Sequence, residues 1–146
     1  MRRYRVLTVA LVAIVAAGFW WRSGEGDLAS SETTQARPNG APMVQVALPD
    51  NFSDNAQIGI VAFEAKCAAC HGANAAGQDG VAPPLVHKIY EPSHHGDAAF
   101  LLAAKNGVRA HHWRFGNMPP VEGLTDGDVK MIVAYVRELQ RANGIN

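Results

Sequence analysis

Cys67-Ala68-Ala69-Cys70-His71 is the stretch that decides the fold of this chain of 146 residues. It has the pattern C-x-x-C-H, in which two residues separate the thiols and a histidine follows directly. Two thiols at this spacing can reach the two vinyl groups on one edge of a porphyrin. The histidine is then carried beneath the iron, which it can bind through an imidazole nitrogen. The stretch therefore predicts one covalently attached haem c, with Cys67 and Cys70 as attachment points and His71 as an axial ligand.

Other uses of a C-x-x-C pair fit this chain less well. A redox dithiol of the thioredoxin type follows a strand, whereas the residues before Cys67 have a helical pattern. A structural zinc site needs four ligands, but Cys67 and Cys70 are the only cysteines, and the next histidine after the motif is His87. A disulfide between the two cysteines would close a very short, strained loop. The haem interpretation is the one that uses all three residues.

Residues 1–22 are predicted to be a signal-anchor, a single transmembrane segment. Arginines at positions 2, 3 and 5 precede an uncharged run from Val6 to Trp21, which Arg22 ends. As a helix this run spans roughly 24 Å, somewhat less than the ~30 Å hydrocarbon core. A cleaved signal peptide is the competing interpretation. By the positive-inside rule both deliver the remaining chain to the outer face, so we expect a single-pass protein of the inner membrane with its domain in the periplasm.

The rest of the chain divides by composition. Residues 23–52 are rich in Gly, Ser, Thr, Ala and Pro, with almost no large apolar side chain before Val44, and are predicted to be a flexible tether. Residues 53–146 are predicted to be one haem domain. The 13 basic and 13 acidic residues balance, and no basic patch indicates a nucleic-acid partner.

Helix-capping residues and apolar periodicity predict three main helices in this domain, and no segment has the alternation of a strand. Loops rich in Gly and Pro, at 72–86 and 109–120, separate the helices. The predicted helices run from Ser53 or Asp54 to Cys67, from Gly96 or Asp97 to Asn106, and from Thr125 to Gly144.

Met118 is predicted to be the second axial ligand of the iron. It lies in the loop Gly116-Asn117-Met118-Pro119-Pro120, distal to the C-x-x-C-H motif. A thioether is soft and favours Fe(II), so a His/Met ligand pair raises the reduction potential. The two prolines that follow would stiffen the ligand loop. The other methionines are the initiator, one in the tether and one within the last helix.

The stretch from about 57 to 145 resembles the class I c-type cytochrome domain of bacteria. Gly59 and Phe63 lie where this family has a glycine and an aromatic residue on its N-terminal helix. Tyr135 lies where it has an aromatic residue on its C-terminal helix. The resemblance implies an all-α cytochrome c fold, with three to five short helices around one haem. It also implies that the two terminal helices cross at nearly a right angle, where the glycine allows a close approach.

The same resemblance extends to the haem pocket. Pro83-Pro84-Leu85 resembles the family's proline loop, whose backbone carbonyl accepts the hydrogen bond of the proximal imidazole. For this chain it implies that Pro83 orients His71 and that Leu85 packs on the haem. Aromatic residues distal to the motif are further candidates for packing on the haem, and a tryptophan can also donate its indole N–H to a propionate. These candidates are Phe100, Trp113 and Phe115.

Two pairs of histidines, His94-His95 and His111-His112, are not part of the general pattern of this family. They can form hydrogen bonds with backbone or a haem propionate. They can also compete for the haem iron or bind an external metal ion. The sequence leaves both roles open.

A closed His71/Met118 site predicts function as well as ligation. With both axial positions filled by protein, chemistry at the iron is limited to one-electron transfer through the haem edge, so we expect an electron carrier rather than an enzyme, with no small-molecule substrate. The resemblance and the tether imply redox protein partners, a donor and an acceptor complex of a respiratory or dehydrogenase chain. Two alternatives stay open. One is a haem enzyme subunit or gas sensor with a labile sixth ligand, and the other is a copper-handling haem protein that uses the extra histidine pairs.

Overall fold

The computed structural model describes residues 39–146, and within this range the chain is helical. It contains isolated β-bridges but no strand there, so the all-α fold is confirmed for these residues. No helix among them is long and apolar enough to cross a membrane, and the predicted anchor, residues 1–22, lies outside the described range. The α-helices are Asp54–Lys66 (α1), Ala68–His71 (α2), Asp97–Asn106 (α3) and Asp126–Ala142 (α4), and 3-10 helices occupy Ala73–Ala75 and Lys88–Tyr90.

The capping residues that predict the helix ends make the expected contacts. The Ser53 hydroxyl accepts a hydrogen bond from the backbone of α1 at its first turn. Thr125 and Asp128 form a reciprocal capping box at the start of α4, and this interaction lowers the pKa of the Asp128 carboxyl. Gly107 ends α3 with a φ of 73°, a conformation that favours glycine. The predicted bounds of the three longer helices are therefore confirmed to within a residue or two.

Helices α1 and α4 form the core of the domain, and Gly59 lies at their closest approach. A Cβ atom at Gly59 would lie 2.0 Å from the carbonyl oxygen of Met131, so only glycine fits there. Next to this contact, Phe63 and Tyr135 are fully buried, with ring centroids 5.5 Å apart. This is the close approach that the resemblance implies for these three positions. By contrast, Ile58 and Val61 on α1 are exposed although both are apolar.

Arg137 fastens the chain between the Lys88–Tyr90 turn and α3 onto helix α4. Its guanidinium, which is largely buried, donates to the carbonyl oxygens of Tyr90 and His95, to the side chain of Gln140 and to the carboxylate of Asp97. Gln140 is also buried, and its amide donates to the Tyr90 carbonyl as well. Arg137 and Gln140 of α4 therefore fix the position of the loop at 91–96, which forms no helix of its own.

Residues 39–52, which we call the N-terminal strap, pack on the domain instead of forming a free linker. Near its start, Gly40 N–H donates to Asp79 O at 2.8 Å, and Asp79 N–H donates to Ala41 O at 2.9 Å. Further along, Val44 N–H donates to Ala76 O at 3.2 Å. These contacts place the strap against the loop that follows the C-x-x-C-H motif.

The second half of the strap contacts helix α4 and its C-cap residue, Asn143. Ala47 N–H donates to the Asn143 side chain at 2.9 Å, and the Asn143 amide donates back to Ala47 O at 2.8 Å. The ring of Phe52 packs on Tyr135 with centroids 5.4 Å apart. Residues 39–52 are therefore held on the domain by backbone hydrogen bonds and the ring of Phe52, and are not the flexible tether that their composition predicts. The rest of the predicted tether, residues 23–38, lies outside the described range.

Candidate functional site

The C-x-x-C-H motif consists of Cys67, the residue between α1 and α2, and the single turn of α2 itself. The carbonyl oxygen of Cys67 accepts hydrogen bonds from the backbone N–H groups of Cys70 (3.1 Å) and His71 (2.9 Å), so the three side chains project from one helical turn. Both thiols are free, with Cys67 partly buried and Cys70 exposed. Burial, reinforced by the nearby Cys70, raises the pKa of Cys67 to about 11. A thiol with this pKa is protonated at neutral pH, which argues against a redox dithiol.

The imidazole of His71 is held in one tautomer. Its Nδ1 lies 2.8 Å from the carbonyl oxygen of Pro83 and must carry the proton that this oxygen accepts. The other nitrogen, Nε2, therefore keeps its lone pair and is the atom available to a metal. Burial lowers the pKa of His71, and the hydrogen bond to Pro83 opposes this only in part, so the ring stays neutral at pH 7.

The loop after the motif folds back to bring Pro83 to this position. Gly77 N–H donates to His71 O at 2.7 Å, and the Gln78 amide donates to Ala69 O at 2.8 Å. Gly77 has a φ of 73°, and a Cβ there would lie 2.4 Å from the nitrogen of Pro84. The two prolines thus pack directly on Gly77, which presents the Pro83 carbonyl to the imidazole.

Leu85 follows the prolines and enters the core. Its backbone N–H donates to Ala75 O at 2.9 Å, and its side chain belongs to the buried cluster around Phe63 and Tyr135. Leu85 therefore lies in the apolar interior, directly after the two prolines. Its contact with haem stays a prediction.

The backbone of Met118 is fixed by pairing with Val108. The two residues exchange N–H···O hydrogen bonds of 2.9 Å in both directions. Gly107 lies directly against this pair, since a Cβ there would be 2.5 Å from Met118 O. Inside the loop, the Asn117 side chain accepts a hydrogen bond from Ala110 N–H at 2.9 Å. Met118 itself is half-buried, and its role as an iron ligand stays a prediction.

The indole of Trp113 has a buried N–H group without a hydrogen-bond acceptor. Burial raises the pKa of Tyr90, and the nearby indole of Trp113 opposes part of this rise. The Trp113 N–H and the Tyr90 hydroxyl nevertheless form no hydrogen bond of good geometry. The ring stacks on Phe115, with centroids 5.8 Å apart, and meets His87 edge-on at 5.3 Å. A buried donor without an acceptor is costly, and a haem propionate would satisfy it.

Phe100, a further residue of the predicted haem pocket, packs on Tyr90 and Arg137. Its ring packs edge-on to Tyr90 at 6.5 Å, and the Arg137 guanidinium lies 5.0 Å above its face. The contacts of Phe100 thus connect it to the Arg137 cluster, and its place against the haem stays a prediction.

The two extra histidine pairs meet in space. His94 Nε2 lies 3.3 Å from His112 Nε2, and His94, His95 and His112 each offer a ligand atom within 4.8 Å of the other two. The ring of His111 is 4.3 Å from that of His112. Partial desolvation and the charges of His111, His95 and His94 lower the pKa of His112. The sequence draws attention to both pairs but gives no signal that they come together.

These features define a c-type haem protein. The C-x-x-C-H turn offers two thiols and an oriented imidazole, and the orphaned indole N–H of Trp113 fits a propionate. The family model for cytochrome c matches residues 56–140, more than half of the chain, and the chain therefore belongs to the cytochrome c family. Neither the curated proteins nor the solved structures give a significant match.

Membership of this family means that the protein binds haem c covalently and that it is of the electron-carrying type of haem protein. Cys67 and Cys70 are the residues that fit the attachment, and His71 fits the proximal position. When bound, the haem supplies reversible one-electron chemistry at its iron. The residues described above hold the His71 imidazole neutral, orient it through Pro83 and provide an apolar interior around Leu85.

Proposed function

We propose that this protein is a membrane-anchored one-electron carrier whose haem iron is bound by His71 and Met118. The observation that carries the proposal is the hydrogen bond from His71 Nδ1 to Pro83 O beside the two free thiols. This bond orients the ring and leaves Nε2 with its lone pair for iron, which is the arrangement expected of an iron site that keeps its ligands during each transfer.

The second axial position is assigned to Met118 because its backbone is held on several sides. The pairing with Val108, the close contact with Gly107 and the hydrogen bond of Asn117 restrict the ligand loop, and Pro119 follows directly. A loop restricted in this way favours a permanently bound thioether over a labile one. Without an open position at the iron, outer-sphere electron transfer is favoured over catalysis or gas sensing.

Visible spectra of the full-length, haem-loaded protein test this assignment. The reduced parent should show a low-spin c-type spectrum that carbon monoxide does not change. Met118→Ala should keep the covalent haem, bind carbon monoxide and have a lower reduction potential. Met131→Leu, which removes a methionine of α4, is the matched control and should behave as the parent.

Two outcomes would contradict the proposal. Ready binding of carbon monoxide by the reduced parent would support the enzyme or sensor alternative. A Met118→Ala variant with the spectrum and potential of the parent would show that another residue is the sixth ligand.

The proposed location rests on residues 1–22, whose arginines and apolar run favour a retained anchor in the inner membrane. On this proposal the haem domain faces the periplasm and exchanges electrons with a donor and an acceptor complex there. The haem-staining protein should sediment with membranes and should be digested when protease is added to spheroplasts. Haem protein released in soluble form would indicate a cleaved signal peptide, and resistance to protease in intact spheroplasts would refute the periplasmic location.

A further inference from the structure

We propose that His94, His95 and His112 form a second metal site, separate from the C-x-x-C-H motif, for a divalent ion that prefers imidazole ligands, Zn(II) or Cu(II). The three residues come from two loops that are distant in sequence. Their ligand atoms nevertheless all lie within 4.8 Å of one another. The proposal requires only the folded chain and does not depend on the electron-carrier function.

The spacing of the first two ligands already suits a metal. With Zn–N bonds of about 2.05 Å and a tetrahedral angle, two ligand nitrogens lie about 3.3 Å apart. The Nε2 atoms of His94 and His112 are 3.3 Å apart. In the ion's absence one ring must donate its Nε2 proton to the other, so binding of a divalent cation at both Nε2 atoms requires only that this proton move to Nδ1 of the same ring. The exposed rings of His94 and His112 must then move closer to the third ligand, His95, from their present separation of at most 4.8 Å.

His95 is oriented by a backbone carbonyl in the way that metal-binding histidines commonly are. Its Nδ1 lies 2.6 Å from Ile89 O and carries the proton, which leaves Nε2 with its lone pair. The turn that carries His95 is held by hydrogen bonds from residues 94 and 95 to Glu91 O, and the guanidinium of Arg137 binds the His95 carbonyl. This ligand is therefore fixed from within the fold and not only by surface contacts.

The remaining surroundings leave room for a fourth ligand. Both His94 and His112 are exposed, so an ion can enter from solvent and keep one coordinated water. His111 is adjacent, with its Nδ1 bonded to Arg109 O at 2.9 Å and its Nε2 uncommitted. Three neutral imidazoles with a water or a fourth imidazole suit Zn(II) and Cu(II), whereas Mg(II) and Ca(II) prefer oxygen ligands.

Occupancy of this site would join two loops that belong to different parts of the haem domain. His94 and His95 lie in the turn that Arg137 holds on α4, whereas His112 directly precedes Trp113 and lies in the loop that leads to Met118. An ion there adds positive charge close to the predicted propionate contact. Because positive charge disfavours Fe(III) more than Fe(II), the bound ion should raise the haem potential.

Calorimetric titration of Zn(II) into the haem-loaded, chelator-treated full chain tests the site. In this form both cysteine thiols are bonded to haem, so they cannot bind the ion. The parent should bind one Zn(II) per chain. His94→Ala and His112→Ala should each weaken binding by ~100-fold or more, since loss of even an outer-shell partner costs 10–100-fold. His87→Asn, which removes a histidine outside the cluster and keeps its hydrogen-bond acceptor, should bind as the parent does.

X-ray absorption at the zinc edge gives a readout that does not depend on affinity. It should report at least three imidazole nitrogens at about 2.0–2.1 Å in the parent. The proposal fails if the parent takes up no stoichiometric ion, if the zinc spectrum shows mainly oxygen ligands, or if His87→Asn lowers the affinity as much as His112→Ala does. Circular dichroism of each variant verifies that the helices are unchanged. A titration with Cu(II) then ranks the two ions.

Discussion

Replacing Gly59 with alanine should destabilise the domain although alanine is the better helix former. The added Cβ would lie 2.0 Å from Met131 O, whereas ordinary contacts begin at 3.4 Å, so α1 and α4 must separate locally by about 1.4 Å. Overpacking of a tight interface costs about 1–3 kcal/mol, and a displacement of backbone against backbone belongs at the upper end. The gain in helix propensity is about 1 kcal/mol. The net expectation is a loss of about 2 kcal/mol.

The chain offers a matched control for this substitution. Gly127 also lies within a helix, and a Cβ there would meet only Thr125 Oγ1, at an ordinary 3.4 Å. Gly127→Ala should therefore leave the stability unchanged or raise it by up to about 1 kcal/mol. The two variants differ from the parent by the same methyl group, so the contrast between them isolates the contact with α4.

Thermal unfolding of the haem-loaded protein, followed by far-ultraviolet circular dichroism, measures the difference. At about 4–8 °C per kcal/mol for a domain of this size, Gly59→Ala should lower Tm by about 8–16 °C. Guanidinium unfolding should give the same order of the three proteins. If Gly59→Ala is as stable as Gly127→Ala, the close approach of the helices is not a constraint on this fold, and the explanation for Gly59 is refuted.

Two further predictions concern polar groups in the core. Arg137→Met should lower the stability by about 2–3 kcal/mol, because it leaves the carbonyls of Tyr90 and His95 without their charged donor, and guanidinium unfolding measures this. A change below about 0.5 kcal/mol would contradict it. Burial raises the pKa of Tyr135 to about 12, whereas the unfolded chain has a tyrosine pKa of about 10. The neutral phenol therefore contributes its full stability below about pH 10, and this contribution is lost as the pH rises towards 12. Tyr135→Phe should therefore lose less stability than the parent between pH 8 and pH 11.5, and equal losses in both proteins would show that another group is responsible.

Local signals account for the parts of the fold that the sequence predicts well. Ser53, Thr125 and Gly107 act on the backbone within three or four residues of themselves, so the helix ends follow from the chain without knowledge of the fold. The C-x-x-C-H motif is equally local, since a single helical turn sets its geometry. The hydrogen bond between His71 and Pro83 spans only twelve positions and is the contact that the family resemblance implies for Pro83.

Contacts between distant segments account for what the sequence did not predict. The N-terminal strap is held mainly by backbone hydrogen bonds, which composition does not encode. Arg137 and Gln140 are polar residues of an amphipathic helix, and their burial depends on loop carbonyls that only the folded chain brings to them. The meeting of His94 with His112 likewise requires the exact course of two irregular loops.

The N-terminal strap also determines where mechanical tension enters the domain. Its first hydrogen bonds join Gly40 and Ala41 to Asp79, in the loop that presents Pro83 to His71, and its connection to α1 comes only later along the chain. A pull on the chain ahead of Asn39 therefore acts on the loop that carries Pro83 before it acts on the first helix. The strap thus links stress on the N-terminal side of the chain to the hydrogen bond that orients the His71 imidazole.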